Sequence, residues 1–172
     1  MDRATRSLNR PTRWTTRTYS NLRRIAARCL ADEYRSPTLS PTELLHQTWL
    51  RLRNSEEPSA GYRVGLAVHA MREVLVDLAR RRNAAKRSGQ RIPLSQAEGH
   101  AAAERDAYVV ALDSALAELA AWSPELARIV ELRFFGGFEL EAVAAELGLS
   151  SRTVKRRWQL AKGWLHQRIT ES

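Results

Sequence analysis

Gly148 stands between two stretches of helical periodicity and constrains the fold of residues 139–165 more than any other position. Upstream, Leu140, Val143, Ala144 and Leu147 recur at the spacing of one helix face. Downstream, Ser150 or Ser151 is placed to cap a second helix, and Leu149 is placed to fill the corner. Glycine at the junction can take the positive φ that a sharp turn between helices requires. The pattern predicts helix, tight turn, helix.

The second of these helices divides by chemistry. With Val154 at the centre of a buried face, Trp158, Ala161 and Leu165 fall within about 40° of it at about 100° per residue. Arg152, Lys155, Arg156, Gln159 and Lys162 take the opposite arc. A helix that enters the major groove needs this division, since apolar residues hold it on its domain while long donors reach bases and phosphates. A basic face is also what a solvated surface helix presents. The turn, the apolar helix before it and the contrast with Glu139, Glu141 and Glu146 on that helix favour DNA.

The charge balance agrees. Twenty-eight Lys and Arg against nineteen Asp and Glu give a net charge of +9 over 172 residues, which favours a polyanionic partner. Cys29 is the only cysteine, so an intrachain disulfide and a multi-cysteine zinc site are excluded, and a reducing cytoplasm is the expected setting. No apolar run is long enough to span a bilayer, and the first residues lack the apolar segment of a secretory signal. His46, His69, His100 and His166 are scattered without metal-ligand spacing and read as surface residues. No catalytic set, phosphate-binding glycine loop, metal site or cofactor site is expected.

The rest of the chain reads as helices. A basic arm is expected over residues 1–18. A helix from about Tyr19 to Tyr34 carries Leu22, Ile25, Ala26, Cys29 and Leu30 on one stripe. Ser40-Pro41-Thr42-Glu43 has the form of a capping box with Pro at the first helical position. The helix it opens places Leu45, Thr48, Trp49 and Leu52 on one side and Gln47, Leu50 and Arg51 on the other. A third helix, about Tyr62 to Arg82, is expected to bury Leu66, Ala67, Ala70, Met71, Val74 and Leu78, leaving His69, Arg72, Glu73 and Arg80 outward. Residues 83–105 turn polar and basic, then Ala- and Glu-rich, and read as a flexible linker. A helix over 107–121 is stopped by Trp122-Ser123-Pro124, which also caps the next one, and that helix ends at Gly136-Gly137. The expected fold is all-α. Its parts are the arm, a helical domain over 19–82, the linker over 83–105 and a helix-turn-helix domain over 106–172.

Three stretches, in order, resemble the extracytoplasmic-function (ECF) sigma factors of bacterial RNA polymerase. Arg128-Ile-Val-Glu-Leu-Arg-Phe-Phe-Gly-Gly137, with the helix-turn-helix and Thr153-Val-Lys-Arg156, is similar to their region 4. Glu43-Leu-Leu-His-Gln-Thr-Trp-Leu-Arg-Leu52 is similar to region 2.2, and Ala70 to Arg82 to regions 2.3 and 2.4. The similarity covers roughly residues 20–168. It departs in having Ser40-Pro41-Thr42 in place of an acidic pair and Glu73 where many members carry Asn.

The resemblance implies a non-enzymatic factor that binds core RNA polymerase and directs promoter recognition and initiation. Gln47, Leu50 and Arg51 would dock on the β′ clamp helices, and region 4 would meet the β flap and the minus-thirty-five element. Lys155, Arg156 and Gln159 would read bases; Ser151, Arg152 and Arg157 would contact phosphates, as would the basic run Arg80, Arg81 and Arg82. An anti-sigma factor is a further partner that the resemblance admits. The alternatives are a stand-alone helix-turn-helix regulator, a recombinase or nuclease accessory, and an inactive sigma-like protein that sequesters polymerase.

Overall fold

The structure is a computed structural model and describes residues 16–33, 39–52, 60–87 and 96–171. Among these the chain is helical and has no strand. The helices are α1 (Thr16–Glu33), α2 (Pro41–Leu52), α3 (Ala60–Arg87), α4 (Gln96–Trp122), α5 (Pro124–Val130), α6 (Leu140–Leu147) and α7 (Ser151–Thr170). A π-helical turn, Glu131–Phe135, continues α5. Of the expected basic arm only 16–18 are described, and they open α1. Residues 1–15 and 53–59, the segment between α2 and α3, lie outside the described residues.

Local chemistry sets the helix ends. Ser40 Oγ accepts from the Glu43 N–H at 3.2 Å and the Ser40 N–H donates to Glu43 Oε2 at 2.7 Å, so the reciprocal capping box opens α2. The paired donor holds the Glu43 carboxyl below its ordinary pKa. Ser123 is extended, and its Oγ accepts from the Leu126 N–H at 3.4 Å, with Pro124 opening α5. In the π turn the Gly136 N–H reaches back five residues to the Glu131 carbonyl, at 3.0 Å. The wider turn lets Glu131, Leu132 and Phe135 all point inward.

The α1 stripe is buried as expected, Leu22, Ile25, Ala26, Cys29 and Leu30 all lying in the core. On α2 the inner face is Leu44, Leu45, Thr48 and Leu52. Trp49 is only half-buried, with its ring stacked on His46 at 6.3 Å between centroids, and Leu44 takes the interior place. Leu44 falls at the edge of the wheel that the sequence suggests, and α2 packs on both α1 and α3.

Helix α3 lies between α2 on one side and α4 with the π turn on the other. That explains why Val74, Leu75 and Val76, three successive residues on different faces, are all buried. It also corrects two orientations expected from the sequence. Arg72 is buried, at 9% relative exposure, and His69 is half-buried, because the later helices cover the face that a lone three-helix unit would leave to water. Glu73 and Arg80 do face outward, whereas Leu66 and Leu78 are only partly covered. The contact is close at Gly65. The Arg128 guanidinium lies over it and donates to its carbonyl at 2.8 Å, in space that a Cβ would occupy.

The stretch expected to be a flexible linker is helical at both ends. Residues 83–87 finish α3 and 96–105 open α4. The interval 88–95 lies outside the described residues. Helix α4 then packs along α3, and α4, α5 and α7 enclose Val109, Leu112, Leu116, Leu119, Ile129 and Leu165. Burying that side of α3 against α4 keeps helical a stretch whose polar composition alone predicts irregular chain.

Candidate nucleic-acid interface

The turn between α6 and α7 has the geometry its sequence predicts. Gly148 sits at φ 64°, ψ 30°, in the left-handed region. The Leu149 N–H closes back on the Ala144 carbonyl at 2.9 Å. Of the two candidate caps, Ser150 is the one used. Its Oγ accepts from the Thr153 N–H at 3.1 Å, which leaves Ser151 as the first, half-buried residue of α7.

From that start α7 presents its two faces as expected. Val154, Ala161 and Leu165 are buried against α4, α5 and α6, with Trp158 half-buried beside them. Arg152, Lys155, Arg156, Gln159 and Lys162 are exposed on the other side. Two of the expected contact residues already have acidic partners. Lys155 Nζ lies 2.8 Å from Glu141 Oε1 on α6, and this ammonium holds the Glu141 carboxyl below its usual pKa. Both side chains are more than half exposed, so the pair is weak and can be exchanged for a base or phosphate. Arg157 is half-buried and ion-paired with Glu125, which ties α7 to α5 and makes it a poorer candidate for a phosphate.

The sequence reading missed Leu160, 55% exposed on the outer arc beside Arg156, because the wheel was sorted by its polar members. It also missed that Trp122 stacks on Trp164, with ring centroids 6.4 Å apart. Behind α7, toward α4, lies an open apolar groove of about 400 Å³. Tyr108, Phe134, Trp158 and Ile169 line it, and Gln159 and Lys162 of the exposed arc reach its edge.

The remaining expected contacts lie on α2 and α3. Gln47, Leu50 and Arg51 share the exposed face of α2, Leu50 being 40% exposed. Arg51 is not free there: it pairs with Glu73 at 3.4 Å and with Asp77. At the end of α3, Arg80 and Arg81 are exposed and Arg82 is largely covered, but Arg80 and Arg82 both reach carboxylates of α4. Arg80 Nη2 lies 2.9 Å from Asp113 Oδ2, and Arg82 Nη1 lies 3.4 Å from the buried Asp106 Oδ1.

Further along the same helix pair, Arg72 donates through Nε and Nη2 to Asp113 Oδ1 at 2.9 and 2.6 Å, and through Nη1 to Glu131. Glu131 also receives His69 Nδ1 at 2.7 Å and Arg128 Nη1 at 3.2 Å. Burial alone would raise the Glu131 pKa. The contacts with His69 and Arg72 outweigh it and bring the pKa down to about 2. His69 is raised in turn, chiefly by its hydrogen bond to Glu131. Among the described residues no group of three or more His, Cys, Asp or Glu could hold a metal ion, and no helix is long and apolar enough to cross a membrane.

An exposed basic arc on the second of two helices joined at a left-handed glycine defines a helix-turn-helix, the kind of element that reads DNA. The family model for the ECF sigma factors matches residues 12–171, and the chain belongs to that family. It is therefore a bacterial, DNA-binding sigma factor with a role in transcription initiation, and its family partners with core RNA polymerase, promoter DNA and anti-sigma factors. No curated protein and no solved structure matches the chain.

Proposed function

We propose that this chain binds core RNA polymerase through the outer face of α2 and selects promoters through the exposed arc of α7, with no bond chemistry of its own. The arc of α7 carries the reading. Lys155, Arg156 and Gln159 stand within about two and a half turns of the Ser150 cap, on the side opposite Val154, Ala161 and Leu165. Arg and Lys suit guanine edges and Gln suits adenine. Arg152 and Ser151, one turn earlier, are placed to hold phosphate and set the register. Leu50, flanked by Gln47 and Arg51, is an apolar contact in a polar surround that fits a polymerase helix. The groove between α4 and α7 is the matching surface for the β flap.

Run-off transcription with core polymerase on a library of genomic fragments tests this. Wild-type protein should select a discrete set of start sites. Lys155→Ala, Arg156→Ala and Gln159→Ala should each relax one promoter position, at about 1–3 kcal/mol per base-reading side chain. Arg152→Ala should weaken all promoters alike. Leu50→Asp should keep its helix content and no longer co-elute with core enzyme. Unchanged promoter preference in all three reading variants would refute the assignment on α7. Wild-type co-elution of Leu50→Asp would refute the one on α2.

A further inference from the structure

With α7 reading one promoter element and the basic run Arg80-Arg81-Arg82 of α3 on DNA phosphates, as the family resemblance implies, the chain would carry two DNA-contacting surfaces far apart. Promoter elements separated by about two helical turns lie roughly 70 Å apart along straight duplex. In the structure the two halves of the chain are packed together instead. Helix α4 lies along α3, the π turn packs on α3, and the Cys29 thiol of α1 donates to the Phe135 carbonyl. Only residues 88–95 stand between α3 and α4, and eight residues span at most about 29 Å when fully extended.

Ion pairs run along the contact, and in those that cross it the cations come from α3 and the carboxylates from the later helices; Arg128 of α5 is a cation on the later side, donating to the Gly65 carbonyl of α3. Helix α3 supplies His69, Arg72, Arg80 and Arg82. The later helices supply Asp106 and Asp113 from α4 and Glu131 from the π turn. Arg72 is central, bridging Asp113 and Glu131 with its guanidinium largely buried, and Asp113 in turn holds Arg80. The carboxylates of α4 thus occupy two arginines of the basic run Arg80-Arg81-Arg82, which the resemblance to the ECF sigma factors places on DNA phosphates. We propose that Arg72, Asp113 and Glu131 form a clasp that keeps the first three helices closed on the last four and screens Arg80 and Arg82 until a competing polyanion draws them away. This regulation rests on the promoter-binding reading above, but neither part of its test requires polymerase or a promoter.

The buried Cys29 reports the opening, because its thiol sits under a backbone carbonyl of the other half. In the full chain, a small disulfide reagent should modify Cys29 slowly. Glu131→Gln should raise that rate at least tenfold with helix content unchanged, and a saturating mixed-sequence 20-bp duplex should accelerate the wild type. Should Glu131→Gln lose its helix content, Asp113→Asn takes its place. It releases the same Arg72 from a less enclosed position.

The second readout is the salt dependence of binding to that duplex. Each further phosphate contact steepens the log–log slope by about 0.9, so Asp113→Asn should steepen it by about one contact. Equal Cys29 rates in wild type and a folded clasp variant, or a salt slope that Asp113→Asn leaves alone, would overturn the clasp. Because both measurements use only protein and duplex, a chain that fails run-off transcription can still show the clasp, and a working sigma factor can still lack it.

Discussion

Phe135→Ala is expected to be among the most damaging single truncations in this chain, lowering stability by about 3–5 kcal/mol. Its ring is 2% exposed and sits where the π turn meets α3, α5 and α6. It packs edge-on against Phe134, with ring centroids 5.1 Å apart at an interplanar angle of 72°. Nothing nearby can collapse into the space, since the residue is held by helices on several sides and by the Gly136-Gly137 exit from the turn.

Its neighbour provides the control. Phe134 is only partly covered, lines the groove toward α7 and packs tilted against Tyr108, with ring centroids 6.4 Å apart. Phe134→Ala should lose an aromatic contact of about 0.5–1.5 kcal/mol and little else. Urea denaturation of the two variants should place the Phe135→Ala midpoint well below that of Phe134→Ala. The reverse order would mean that the π turn is not the junction of the core.

What could be read from the sequence was whatever depends on neighbours within a helical turn or two. The Ser40–Glu43 box, the Ser123-Pro124 junction, the left-handed Gly148 and the polar and apolar faces of α7 are all local, and each is found where the residues put it. Arg72 was not legible in this way. Its partners lie 41 and 59 residues further along the chain, and on the wheel of α3 it points away from the stripe that α1 and α2 cover. The signal that could have exposed it is the reverse one. Asp113 and Glu131 each interrupt an apolar run on a helix that must be packed, and an acid there calls for a cation across the interface.

The helical ends of residues 83–105 were hidden for a related reason. Their composition predicts irregular chain, but 96–105 lead into a helix whose next turns pack on α3. The same contact hides part of the candidate site. Arg80 and Arg82 belong to a basic run in the sequence but stand opposite acids in the fold, and Arg157 is likewise tied to Glu125.

Acid should loosen the contact between the two halves, and mild alkali should loosen it more gently. Glu131 faces His69 and Arg72 from α3 and Arg128 from α5, while Asp113 of α4 shares Arg72 with it. Its folded pKa, about 2, lies below the ordinary 4.5. A depressed carboxylate contributes stability that is present above the unfolded value and lost as pH falls through the folded one. The contribution should therefore be intact above pH 4.5 and fade toward pH 2, and a shift of this size is worth on the order of 3 kcal/mol.

His69 works in the opposite sense. Its pKa is raised above 6.5, chiefly by the hydrogen bond to Glu131, with Glu73 adding and Arg72 opposing. Its contribution is complete below pH 6.5 and lost as pH rises through the higher folded value. Since its ring is nearly half exposed, this limb should be shallow. The window of greatest stability from the pair is then about pH 4.5–6.5. Thermal unfolding of wild type, Glu131→Gln and His69→Gln across pH 2–9 separates the limbs. The gap between wild type and Glu131→Gln should be widest at about pH 4.5–6.5, close below it and narrow gently above it, since the His69 contribution needs Glu131, and His69→Gln should flatten the fall above pH 6.5. Wild-type and Glu131→Gln curves that stay parallel down to pH 2 would show that Glu131 is not held as a carboxylate by α3.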